Sequence, residues 1–322
     1  MKKVLTMTLN PCIDRTVYFE TFQAGVTNIV KKTMEEAAGK GINVAVGLKH
    51  LNIPVKAMGF AYKEDKYKLY GKLDAEQIEY SFVEVEGRLR VNQKLFDESK
   101  AEMTECNEKG MPVTKGDVEC LLALLKEELP EASILVLCGS VPPGVEKDIY
   151  ARMTAMANDA GVKVILDASG DLLLEGVKAT PYLIKPNKEE FIKTFLSDDI
   201  RQTVADDMGV TEPVLMDICS GLLTSGLSHI CLSLGAGGAM LISRKKSETV
   251  EEKDLSAAQP GIITDKRPAI PVSVRSLQGA GDAMVAGLCK AIYEEKEEKM
   301  LDYALAMAAS TIALEGTQMG KI

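Results

Sequence analysis

The sequence contains only two histidines and no close Cys/His cluster, which excludes the usual ligand sets of structural or catalytic zinc. Basic residues are outnumbered, 38 against 47 acidic, for a formal net charge of −9. That balance argues against holding a nucleic-acid backbone or an anionic membrane by bulk electrostatics, so an anionic substrate needs a local basic pocket. No apolar segment approaches the roughly 20 residues that span a bilayer. The start, Met1-Lys2-Lys3 and then Val4 to Thr8, is broken by Asn10-Pro11 too soon for a secretory signal. The seven cysteines are odd in number and irregularly spaced, with Cys138 and Cys231 inside apolar runs as small hydrophobes, so a reducing cytoplasm is the expected compartment. Internal repeats and low-complexity linkers are also missing.

Two familiar phosphate signatures are absent as well. Gly39-Lys40 lacks the leading glycine of a Walker loop, and has Gly41 where that loop needs Ser or Thr. Gly279-Ala280-Gly281 is followed by Met284 where a dinucleotide fingerprint needs glycine.

What is present is a core-forming chain, 46% hydrophobic over 322 residues, enough for one large α/β domain or a core with a small appendage. Buried-strand runs at Ile134 to Leu137, Val162 to Leu166, Leu183 to Ile184 and Ile230 to Leu234 alternate with helical patterns such as Val118, Leu121, Leu122, Leu125 and Leu129. This rhythm predicts a mostly parallel, doubly wound sheet with crossover helices. Segments Thr16 to Thr33 and Phe82 to Glu105 alternate polar with apolar residues and are expected to pair into a lid. Ser197 to Ser228 reads as a helical insertion, acidic at Asp198, Asp199, Asp206 and Asp207, and Glu294 to Lys299 and Arg244 to Lys253 read as solvated charge runs.

The most informative stretch is Leu277 to Gly287, a small-residue turn leading through Asp282 into an apolar helix. Gly279 and Gly281 leave the backbone amides of residues 279 to 282 free to converge on an anion at the positive end of the helix, with Asp282 beside it. An anion cradle next to a carboxylate base is what phosphoryl transfer to a hydroxyl requires. A capping aspartate after a glycine turn fits the same residues. Ala38 to Ala45 is a second glycine-flanked helix entry, with Lys40 and Asn43 near its start. Lys185-Pro186-Asn187 follows an apolar strand, at the sheet edge where open α/β folds bind ligands. Asn187 and Glu190, three apart, suit a hydrated magnesium ion, a capping box, or both.

In order along the chain stand Asn10-Pro11-Cys12-Ile13-Asp14, Gly39-Lys40-Gly41-Ile42-Asn43, Gly139-Ser140-Val141-Pro142-Pro143-Gly144, Lys185-Pro186-Asn187, Ser233-Leu234-Gly235 and Gly279-Ala280-Gly281-Asp282. This series resembles the PfkB carbohydrate kinases over residues 4 to 317. Gly87 to Asn92 and Thr104 to Glu108 look most like the 1-phosphofructokinase and tagatose-6-phosphate kinase branch. The resemblance implies a ribokinase-like three-layer α/β sandwich: residues 1–8, 36–81 and 113–322 as the core, and 9–35 and 82–112 as a small β lid forming a homodimer contact. It implies Asp282 as catalytic base, with Gly279, Ala280 and Gly281 as the anion hole. Asp14, Gly39, Lys40, Asn43, Arg90 and Ser140 would line the sugar site, Arg90 gripping an existing phosphate. Lys185, Asn187, Ser233, Gly235 and Gly238 would meet ATP, and Asn187 with Glu190 would organise Mg2+ through its waters.

The expected reaction is transfer of the γ-phosphate of ATP to a primary hydroxyl of a ketohexose phosphate, fructose 1-phosphate first, then tagatose 6-phosphate or fructose 6-phosphate. A kinase of an unphosphorylated sugar or nucleoside and a catalytically silent sugar-binding regulator are the alternatives. Departures from the branch bear on the acceptor. Thr27-Asn28-Ile29 lacks the arginine usual there, and residues 61 to 66 are bulky and charged where the family has a glycine-rich loop. Lys63, Lys66 or Arg88 are the candidates to replace that cation.

Overall fold

The computed structural model describes residues 2–196, 212–245, 261–316 and 318–322. Strands β1 (Lys3–Thr8), β4 (Val55–Tyr62), β8 (Ala132–Cys138) and β9 (Lys163–Asp167) are buried almost end to end. A strand covered on both faces needs a continuous apolar run rather than alternation, which is why these segments lack a polar side. With β5 (Glu79–Val85), β10 (Leu183–Ile184), β11 (His229–Ser233), β12 (Ala239–Arg244) and β13 (Ile262–Arg267) they form a sheet of order β13-β12-β11-β10-β9-β8-β1-β4-β5. Its strands pair in parallel except β11 with β12 and β12 with β13. Two apolar clusters, one around Leu5, Leu135 and Leu166 and the other around Val4, Val136 and Ile165, pack alternate strand residues under separate helical layers. The three-layer expectation holds.

Register sets the site. Thr8 pairs with Cys138, and Cys138 with Asp167, so three strands end in one row. Ile184 pairs with Leu166, which brings Lys185 beside Asp167 at the same edge. A parallel sheet collects such termini on one side, above which a ligand can sit.

A second sheet of order β3-β2-β6-β7 stands over that edge, from β2 (Cys12–Phe19), β3 (Lys32–Ala38), β6 (Arg90–Asp97) and β7 (Glu102–Asn107). Cys12 pairs with Arg90, Asp14 with Asn92 and Thr16 with Lys94, and strand alternation then puts Cys12, Asp14, Arg90, Asn92 and Lys94 on one face. Phe82 to Val85, expected in this lid from their alternation, instead pair with β4 as part of the large sheet's edge strand, where Phe82 packs near Tyr70 and Tyr80. One aromatic face suffices to hold an edge strand, so alternation alone did not mark the lid. Strand β3 also runs past residue 35, to Ala38.

The helix Ala280–Tyr293 begins after Gly279, whose φ of 74° is left-handed, and crosses the core against the helix Met300–Ile312. There a Cβ on Gly287 would lie 2.4 Å from the Tyr303 carbonyl oxygen, so only glycine permits this approach. Of the expected insertion, Glu212–Thr224 is a helix burying Leu215, Cys219 and Leu223, while Asp198, Asp199, Asp206 and Asp207 lie outside the described residues. Most of the charge run Arg244 to Lys253 lies outside them as well.

Candidate active site

Between the sheet edge and the lid lies a cavity of about 510 Å³. The large sheet contributes Thr8, Cys138 and Asp167, the lid Asp14, Arg90 and Lys94, and the two glycine-led helices Lys40, Asn43, Gly279 and Asp282.

Asp282 occupies the first turn of its helix and is buried at 6% exposure, with Asn43 Nδ2 donating to its Oδ2 at 2.8 Å. Burial is the main cause of a pKa pushed up to about 6. Lys40 opposes that rise, Asp167 adds to it, and Asn43 and Lys185 oppose it more weakly. The result is a carboxyl whose proton affinity suits a general base near neutrality.

Asp167 is the electrostatic centre of the floor. Its Oδ2 accepts from Lys40 Nζ at 3.0 Å, and its Oδ1 lies 3.1 Å from Lys185 Nζ. Burial pushes its pKa up, but the Lys185 and Lys40 ammonium groups outweigh this and hold it below the usual carboxylate range. Lys185 is 3% exposed, because register places its head group against Asp167.

On the lid, Asp14 Oδ2 accepts from Lys94 Nζ at 2.7 Å, and its Oδ1 accepts from Asn92 Nδ2 at 3.1 Å. Arg90 donates from Nε to the Asn10 carbonyl at 3.2 Å and from Nη1 to the Glu108 carbonyl at 3.0 Å. Those two bonds fix the guanidinium plane. Asn10 Nδ2 donates to Ser140 Oγ at 3.2 Å, which ties that loop to the lid base. Four residues of the cavity, Thr8, Asn10, Asn43 and Asn92, each bury a side-chain oxygen that has no hydrogen-bond partner in the protein. Buried oxygens are normally paired, so orphaned ones on residues around a cavity suit a polar ligand there.

The structure therefore brings Asp14, Gly39, Lys40, Asn43, Arg90, Ser140, Gly279, Glu190 and Asp282 to one cavity. Lys185 meets them through Asp167, and Ala280 and Gly281 follow Gly279 in the helix start. Asn187 and Glu190 form a reciprocal capping box, Asn187 N donating to Glu190 Oε2 at 2.9 Å and Glu190 N to Asn187 Oδ1 at 2.7 Å. Ser233 bridges to Asn187 along the sheet edge, with Gly235 in the exposed turn that follows. Gly238 has a steric reason to be glycine: a Cβ there would lie 2.0 Å from the Arg267 carbonyl oxygen.

Two expectations are corrected. Lys63 and Arg88 pair with Glu86 and Glu108, and Lys66 with Glu84, none of these cations lining the cavity. The bulky 61 to 66 segment also stays out of it: Ala61 and Tyr62 finish the buried strand β4, and the Tyr62 hydroxyl donates to the Met111 carbonyl at 2.9 Å. The cation that does enter is Lys94, which the sequence reading missed together with Asn92, Asp167 and Gln278. Asp167 carried a usable signal, an acid ending an apolar strand. Lys94 carried a weaker one, even spacing from Arg90 along a strand.

A glycine-led helix start with a buried carboxylate, facing a cavity lined by polar residues beneath a small β sheet, defines a phosphotransferase of the ribokinase-like type. The chain belongs to the pfkB family of carbohydrate kinases, whose model matches residues 7–321. It is 31% identical over 326 residues to 1-phosphofructokinase of Vibrio cholerae, covering 99% of this chain and 92% of that protein. The corresponding Escherichia coli enzyme is 31% identical over 316 residues, 97% and 91% of the two chains. Among solved structures, phosphofructokinase-2 from Escherichia coli in complex with potassium superposes with a TM-score of 0.82 at 23% identity, covering 100% and 96%. A possible 1-phosphofructokinase from Thermotoga maritima gives 0.76 at 26%, covering 99% and 95%.

Proposed function

We propose that this protein transfers the γ-phosphate of ATP to a primary hydroxyl of a ketohexose phosphate, with fructose 1-phosphate the leading acceptor. The observation that carries the reading is that Asp282, directly after the glycine turn, lines the same cavity as Asp14 and Arg90. Asp14 and Asn43 hold sugar hydroxyls, and Arg90, its plane set by two carbonyls, turns the rest of its fork to the substrate's phosphate. Asp282 takes the proton of the attacking hydroxyl while the amides of residues 279 to 281 receive charge from the phosphoryl group. Lys185, Asn187, Ser233, Gly235 and Gly238 line the ATP side.

The cavity's acids, Asp14, Glu105, Asp167, Glu190 and Asp282, outnumber Lys40, Arg90 and Lys94, and no group of three or more His, Cys, Asp or Glu among the described residues is set to hold a metal ion. Carboxylates that form no all-protein cage fit only a magnesium ion that keeps its waters and is bound partly through nucleotide phosphates. Glu190, oriented by Asn187, would hold it, and the ion would supply charge neutralisation at the phosphates. The lid, with Val26, Ile29 and Val30 exposed, is the proposed homodimer contact, and the seven cysteines, all free, suit a reducing cytoplasm. No helix among the described residues is long and apolar enough to cross a membrane.

Steady-state assays with ATP, Mg2+ and a panel of phosphorylated and free sugars test the reading. Turnover of ketohexose phosphates supports it, and turnover of free sugars or nucleosides alone overturns the acceptor. Arg90→Ala is expected to lower kcat/KM for the sugar phosphate by about 100-fold, mostly through KM, since charge-assisted bonds to a phosphate are worth about 1.5–3 kcal/mol. An equal loss on the unphosphorylated sugar would remove the phosphate role. As a base, Asp282 works ionised, so kcat/KM should fall as pH drops through about 6 and level off above it. A profile flat down to pH 5 would contradict that assignment.

A further inference from the structure

Gln278, immediately before the turn that starts the Asp282 helix, links that turn to the lid. Its Oε1 accepts from Lys94 Nζ at 2.8 Å, and its Nε2 approaches Met103 Sδ of β7 at 3.0 Å. Lys94 is 6% exposed, and the same ammonium donates to Asp14 Oδ2 at 2.7 Å. One buried ammonium thus joins the carboxylate proposed to hold the sugar to the side chain one residue ahead of the anion hole. The joint is stiff at both ends. Asp14 is further held by Asn92 and Cys12, and Gln278 N donates to Ser276 Oγ at 3.2 Å.

We propose that Lys94 and Gln278 are positioning residues that tie the lid to the catalytic turn and set the distance between the sugar and the transferred phosphoryl group. The idea rests on the kinase reading above. In-line transfer is steep in distance, because a misplacement of about 1 Å costs on the order of 100-fold in rate. Lys94 is neutralised by Asp14 and hydrogen-bonded to a neutral amide, so its role is geometric, and the phosphate is left to Arg90. A tie of this kind changes kcat more than KM: the sugar still meets Asp14, Asn43 and Arg90 when the tie is cut, but lies less often at attack distance.

The test is a double-mutant cycle on Gln278→Ala and Lys94→Met, with Lys94→Arg as the conservative variant. Gln278→Ala should lower kcat by about 10-fold or more with the sugar KM changed by less than about 3-fold, and should have almost no further effect in the Lys94→Met background. Lys94→Arg should recover a large part of the loss. Equal effects of Gln278→Ala in both backgrounds, or a rise in KM at constant kcat, would overturn the tie. Amide hydrogen exchange separates this proposal from the kinase reading. In the tie, Gln278→Ala speeds exchange across residues 90 to 97 and 102 to 107 without ligand, whatever the substrate proves to be. Unchanged exchange there counts against it. A wild-type protein inactive on every sugar phosphate, but with lid exchange raised in the variant, would sink the kinase reading and leave the tie standing.

Discussion

Asp282→Asn is expected to lower kcat by about 1,000-fold while leaving the sugar KM within a few-fold, since a positioned general base contributes roughly 10²–10⁴. The amide keeps an oxygen that can accept from Asn43, so the pocket survives and only the proton acceptor is lost. The same substitution should stabilise the fold. A carboxyl whose folded pKa is raised from 3.8 to about 6 favours folding fully below about pH 4, and that contribution is lost as pH rises through 6. Above that pH the wild type carries a buried charge that the asparagine variant does not, a difference of about 2–3 kcal/mol for two pKa units. Denaturant unfolding at pH 8 should therefore show the inactive variant as the more stable protein. Loss of turnover together with loss of stability would mean that Asp282 is a structural acid, and the proposed base would have to be sought elsewhere.

Asp167→Asn should do the reverse and destabilise the protein by about 3 kcal/mol or more, because it leaves the buried Lys185 ammonium without its counter-charge. Lys40, whose side chain is 41% exposed, can turn toward water and adds less. Adding Lys185→Met to Asp167→Asn should recover much of the stability, although not the activity, since the nucleotide side would still lack its cation. The pH dependence also has the opposite sign to that of Asp282. The Asp167 pKa is held below the usual range, so its contribution is present above the unfolded-state pKa near 3.8 and is lost as pH falls through the lower folded value. Urea midpoints of the single and double variants at pH 7 test this. A single variant as stable as the wild type would show that Lys185 finds another partner.

Asp282 and Asp167 line the same cavity under different neighbours. Asp282 has a neutral amide bonded to it and Asp167 has two ammonium groups in contact, which is enough to separate their proton affinities. The exposed ion pairs of Lys63, Lys66 and Arg88 bear on neither, because solvent screening leaves such pairs about 0–1 kcal/mol.

The α/β core, the glycine turn before Asp282 and the capping box of Asn187 with Glu190 were all readable in the chain. Each rests on a local pattern: apolar runs, residues that free the backbone, or side chains three apart on a helix turn. Which acid meets which cation was decided only by the tertiary structure. Asp167 faces Lys185 because two parallel strands end level, and Lys94, unlike Lys63, Lys66 or Arg88, lies in the cavity because strand pairing sets it beside Asp14, 80 residues away in the chain. Register and layer stacking bring such groups together, and both depend on contacts between distant segments that no window of neighbouring residues contains.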